Sequence, residues 1–120
     1  MSGFWLFMTI VTLLIPMSMI IFGYRFTNKP PRKINMFHGY RTKRAMQNQE
    51  TWRFAHHYVG KLWLTLGIIL LLLSLIIMNA VVNADENLVA LLALMVVLFQ
   101  MIGMISPIYF TEKALKKHFG

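Results

Sequence analysis

"LWLTLGIILLLLSLIIMNAVV", residues 62–82, is followed by the short stretch "NADEN" and then by "LVALLALMVVLFQMIGMISPIYF", residues 88–110. Neither apolar run contains Asp, Glu, Lys, Arg or His. Each holds about 20 residues, and at ~1.5 Å per residue a helix of that length crosses a hydrocarbon core of ~30 Å. Residues 4–24, "FWLFMTIVTLLIPMSMIIFGY", form a third run of the same kind. All three read as transmembrane helices. The expected fold class is therefore all-α, an integral membrane protein with one membrane domain over residues 1–120. The first run lacks a basic leading segment and a small-residue cleavage site ahead of Arg25, so it reads as a retained anchor.

Composition supports this class. The 120 residues are 58% hydrophobic and 13% charged, where a soluble domain averages about 25% charged. The formal net charge is +8. Because the cations flank apolar runs, they point to topology and anionic lipid headgroups, not to nucleic acid. There is no cysteine, which removes disulfides and thiol chemistry.

Lys and Arg set the orientation. Nine of the twelve lie in residues 25–61, and the tail 111–120 holds Lys113, Lys116 and Lys117. The N-terminus has none, and "NADEN" carries only acids. The positive-inside rule places 25–61 and the C-terminus in the cytoplasm, with the N-terminus outside. Trp5 would anchor the outer boundary, and Tyr24, Trp63 and Tyr109 the inner one.

Within the spans, Pro16 removes a helical hydrogen bond. Gly60, Gly67 and Ser74 recur at seven-residue steps, a stripe suited to close helix contact or to a homo-oligomer. Gln100, Gly103 and Ser106 form a second stripe, with Gln100 expected to find a partner across the interface. Pro107 should loosen the last turn before the basic tail.

The segment 25–61 divides in two. Pro30 and Pro31 make its first part a stiff connector. Asn48 suits the N-cap of a helix carrying Trp52, Ala55, Val59 and Trp63 on one face, with Glu50 in its first turn. That helix either lies at the cytoplasmic interface and turns inward at Gly60, or runs straight into the second span. The interfacial helix is the form we expect.

Between them lies "MFHGYRTKRAM", residues 36–46. Gly39 permits a tight turn. Tyr40 suits the headgroup level, and Thr42 can cap a following turn. Arg41 offers a planar fork for a carboxylate or phosphate. The residues alone leave two readings: a structured anion site, or a basic loop on acidic phospholipid.

Residues 33–63 resemble the SdpI/YfhL family of small bacterial membrane proteins. The matching positions are Asn35, Gly39, Tyr40, Arg41, Thr42, Ala45, Met46, Trp52 and Ala55. Where the family places an Asn after the Ala, this chain has His56. The resemblance implies a protein of the bacterial cytoplasmic membrane, not an enzyme, that protects the cell against a membrane-active peptide toxin by binding it or shielding its target. The implied site comprises Asn35, Gly39, Tyr40, Arg41, Thr42, Trp52 and His56, with Arg41 in a buried ion pair or phosphate contact. The alternative is a lipid-headgroup- or partner-binding adaptor using the same basic interface.

Other classes fit less well. His38, His56, His57 and Glu50 lack a metal-ligand spacing: His56 and His57 diverge by about 100° on a helix, and no His-Glu-x-x-His occurs. Neither a metal nor a cofactor is expected. Proton-coupled transport generally uses an intramembrane carboxylate, and no span holds one.

Overall fold

The computed structural model describes residues 2–120, which form three α-helices. They are α1 (Gly3–Asn28), α2 (Gln49–Ala80) and α3 (Glu86–Phe119). All three are long and apolar enough to cross a membrane.

Side-chain distribution identifies lipid as the solvent. Large apolar groups face outward, among them Phe7, Leu14, Ile76, Phe99 and Ile102. Many of the inward positions are small or polar, among them Thr9, Thr12, Gly23, Gly60, Gly67, Ser74, Ala93 and Gln100. A water-soluble bundle has the reverse arrangement. In lipid, apolar surface gains nothing from burial, and helices associate through close packing and interhelical hydrogen bonds.

On α1 the buried positions Trp5, Thr9, Thr12, Pro16, Met19, Gly23 and Phe26 alternate steps of four and three. This is the narrow seam of a left-handed helix pair. A Cβ at Gly23 would lie 2.5 Å from the Leu64 amide nitrogen and 2.8 Å from the Gly60 carbonyl oxygen. A Cβ at Gly60 would lie 2.7 Å from Thr27 Oγ1. The backbones of α1 and α2 touch here, so the glycine stripe is filled by a helix of the same chain.

Both prolines stay inside their helices, and each freed carbonyl has a donor. Pro16 leaves the Thr12 carbonyl without its intrahelical partner. Gln100 Nε2 of α3 donates to that carbonyl at 2.7 Å and to Ser74 Oγ of α2 at 2.6 Å, joining all three helices at one node. Gln100 thus has the interhelical partners expected of its amide nitrogen, while its Oε1 is buried without one among the described residues. Pro107 frees the Gly103 carbonyl, and Ser106 Oγ donates to it at 3.3 Å.

Several expectations are corrected. Among the described residues there is no separate interfacial helix: residues 49–60 are the opening turns of α2 and continue into the span. The reason is that Gly60 is a contact point on α1, not a break. The face carrying Trp52, Ala55 and Val59 carries straight on to Gly60 and Gly67. Pro107 does not loosen the chain, because the helix runs on to Phe119 with Thr111 and Leu115 buried. Trp5 is no boundary anchor. It is buried and donates its indole N–H to the Met78 carbonyl at 2.7 Å. Trp63 does the same to the Met104 carbonyl at 2.9 Å.

The molecule is 52 Å long, more than the ~30 Å of hydrocarbon. The excess lies at the basic end, where α2 begins well before its apolar run and α3 continues well after its own. Residues 29–48 pack between these projections.

Candidate functional site

The loop is shaped from within first. Asn35 Oδ1 accepts from the amides of Phe37 at 2.9 Å and His38 at 2.7 Å, and its Nδ2 donates to the Lys33 carbonyl. This side chain supplies a turn that the backbone alone does not make. Gly39 follows with φ of 105°, in the left-handed region. A Cβ there would also lie 2.6 Å from His56 Nε2 and 3.2 Å from Trp52 Cζ2. Both conformation and space therefore require glycine.

That turn delivers Tyr40 to the helix ends. Its amide donates to His56 Nε2 at 2.9 Å, so this nitrogen carries no proton. His56 Nδ1 then donates to the Trp52 carbonyl one turn earlier, at 2.8 Å. The neutral tautomer is fixed at both ends. His56 is fully buried, between Trp52 at 4.4 Å and Phe26 at 4.9 Å by ring centroids. Burial holds its pKa below the ordinary 6.5, the Trp52 carbonyl offsets part of that, and His38 and His57 push it further down.

The far end of Tyr40 reaches α3. Its hydroxyl donates to Glu112 Oε2 at 2.7 Å, and Thr42 Oγ1 donates to the same oxygen at 2.9 Å. Burial, followed by the hydrogen bond to Glu112 and its negative charge, pushes the Tyr40 pKa well above its ordinary value, so the phenol stays a donor. Thr42 Oγ1 also accepts from the Ala45 amide, capping a single turn closed by Met46 N–H on the Thr42 carbonyl. The chain then enters α2, where Asn48 and Thr51 form a reciprocal capping box, as expected of Asn48. On the other side, Trp52 Nε1 donates to the Pro31 carbonyl at 2.6 Å.

The structure therefore brings Gly39, Tyr40, Thr42, Trp52 and His56 together, with Asn35 shaping the approach. It does not bring Arg41 with them. Arg41 is exposed and donates to the Met36 carbonyl of its own loop. The expected buried ion pair does not form, because the turn that buries Tyr40 points its neighbour outward. Glu112, the centre of the α3 contact, is missed by sequence reasoning, which assigns 111–120 to a basic tail. A signal is present: of the four acids in the chain only Glu50 and Glu112 lie at the basic end, and Thr111 and Leu115 continue the inward face of α3.

The polar groups at this site satisfy one another and clamp the loop to α2 and α3, while Phe26 of α1 packs in the same apolar cluster as Tyr40. Outside the clamp stand Met36, His38 and Phe37, the last 92% exposed. Among the described residues, no three His, Cys, Asp or Glu side chains gather to hold a metal ion.

Residues 32–110 match the sequence model of the SdpI/YfhL protein family. A protein of Bacillus subtilis (strain 168), named uncharacterized protein YfhL, is 38% identical over 52 residues. That stretch covers 43% of this chain and 47% of the relative, so the match spans about half of the relative's length. No solved structure matches. The family match takes in the loop, all of α2 and the span of α3, and the chain belongs to the SdpI/YfhL family of proteins.

Proposed function

We propose that this chain is an immunity-type protein of a bacterial cytoplasmic membrane, without enzymatic activity, that protects the cell from a membrane-active peptide toxin. Its working part is the clamped loop at the inner interface. Family membership supports the general reading. The observation that carries the mechanism is the division of labour in the motif. Gly39, Tyr40, Thr42, Trp52 and His56 hold the loop, and Met36 and Phe37 project from it with Arg41 beside them. An exposed aromatic on a rigid support loses little entropy on binding, which suits recognition of an apolar peptide. Placing this end in the cytoplasm follows from the positive-inside rule.

Survival of a strain sensitive to a secreted membrane-active peptide tests this. Expression of the wild-type chain should protect. Phe37→Ser should abolish protection with no change in membrane abundance. Absence of protection by wild type, or equal protection by Phe37→Ser, contradicts the reading.

A further inference from the structure

A second feature of the basic end lies on the other side of Trp52. Where α1 ends and α2 begins, an open cleft of about 610 Å³ is lined by Lys29, Pro30, Pro31, Arg32, Gln49 and Arg53, with Trp52 beneath. Three of these side chains are cationic, and no acid lines the cleft. We propose that it binds a phosphate-bearing anion, a phosphate ester or free phosphate, through Arg32, Arg53 and Lys29. The proposal is independent of the immunity reading and uses none of the clamped residues except Trp52 as floor.

The cleft walls are fixed while its charges remain free. Trp52 Nε1 holds the Pro31 carbonyl, and the Gln49 side chain donates to the Arg32 carbonyl. Two consecutive prolines stiffen the chain between them. On the opposite wall, the capping box fixes the first turn of α2, which carries Gln49, with Arg53 one turn further on. Lys29, Arg32 and Arg53 are exposed. The volume falls in the range of about 300–1,000 Å³ usual for small-ligand sites. Two guanidinium forks facing one cleft suit the paired oxygens of a phosphate better than they suit a monovalent halide.

Depth favours a lipid source without requiring it. The apolar run of α1 ends at Tyr24 and Lys29 follows five residues later, about 7 Å along the helix axis. The headgroup layer extends about 5–8 Å beyond the hydrocarbon on each side. The cleft mouth is therefore level with lipid phosphates, and it is also open to solution.

The full chain, purified in a neutral detergent, allows both sources to be probed by native mass spectrometry. One arm adds phosphatidylglycerol, with phosphatidylcholine as the zwitterionic comparison; the other adds inorganic phosphate. Arg32→Gln with Arg53→Gln removes two charges from the cleft. Lys116→Gln with Lys117→Gln removes the same charge from exposed positions elsewhere on the basic end. The cleft pair should weaken retention of the bound species at least ten-fold, and the tail pair less than two-fold. Retention of phosphatidylglycerol that phosphate does not displace identifies lipid as the source. Retention of phosphate alone identifies a soluble ligand. Equal losses in both double variants, or retention of neither probe by wild type, overturns the proposal.

Discussion

The middle of the bundle and its basic end are held by opposite means. In the middle, α1 and α2 approach closely at Gly67, where a Cβ would lie 3.1 Å from the Ile20 amide nitrogen, and one amide, Gln100, ties the three helices; the same seam closes backbone to backbone at its inner end, at Gly23 and Gly60. Side chains there are chosen for smallness. At the basic end a loop packs against the helix ends, and the contacts are specific hydrogen bonds: the Tyr40 and Thr42 hydroxyls on Glu112, and the Tyr40 amide on His56. The first region tolerates no added volume and is indifferent to pH. The second tolerates volume at its rim and depends on His56 staying neutral. The spans are a scaffold, and the adjustable chemistry sits outside them.

The largest effect should come from adding volume to the crossing. Gly23→Leu drives side-chain atoms into the α2 backbone at Leu64, which cannot yield as a side-chain tip would. Overpacking costs about 1–3 kcal/mol in ordinary cores and more against backbone. Thermal unfolding in detergent should show Gly23→Leu as less stable than any variant of the loop or of Glu112, with Gly60→Leu close to it.

Next comes Glu112→Leu. It removes the acceptor shared by the buried Tyr40 and the half-buried Thr42 hydroxyls, at about 1–3 kcal/mol for the buried donor and less for the other. The helices should survive, with the loss confined to residues 39–46, read as faster protease cleavage in the loop. Glu112→Gln keeps an acceptor oxygen and should retain most of the protection.

Acidification should act in the same direction through His56. Its pKa in the folded state lies below the ordinary 6.5, so between the two values the open loop binds a proton that the closed loop does not. Loop stability is therefore complete above about pH 6.5 and declines as pH falls toward the lowered pKa. A protonated Nε2 also cannot accept from the Tyr40 amide. Cleavage in residues 36–46 should rise between pH 8 and pH 5.5 in wild type. His56→Asn, which does not titrate, should flatten that profile.

The smallest effect on stability belongs to Arg41→Ala. An exposed guanidinium on a neighbouring carbonyl contributes less than about 0.5 kcal/mol, so unfolding should be nearly unchanged.

That ranking reverses the emphasis that the sequence invites, and the reversal has a physical cause. Three spans, a polar loop and the Asn48 cap are local properties, written in apolar runs and short-range hydrogen bonding, and they are legible. So is Gln100 as a polar group needing a partner, although its acceptor, the carbonyl freed by Pro16, lies 88 residues away in sequence. Arg41 draws attention because it stands in a cluster of cations, but a sequence does not show which of two adjacent residues a turn will bury. The left-handed Gly39 buries Tyr40. Glu112 is hidden because its role depends on α3 continuing through Pro107, a position that local rules treat as an end. The interfacial helix fails for a related reason: Gly60 reads as a break in isolation and as a contact surface once α1 lies against it.

The loop owes its place in the fold to the clamp that Tyr40, Thr42, His56 and Glu112 make with the helix ends. Amide hydrogen exchange across residues 36–46 in the membrane-reconstituted protein tests this directly. The amides of Tyr40, Ala45 and Met46 should be protected in wild type and should lose that protection in Glu112→Leu, while the amides of the spans stay protected in both. Exchange at these three amides that is as fast in wild type as in Glu112→Leu would contradict it.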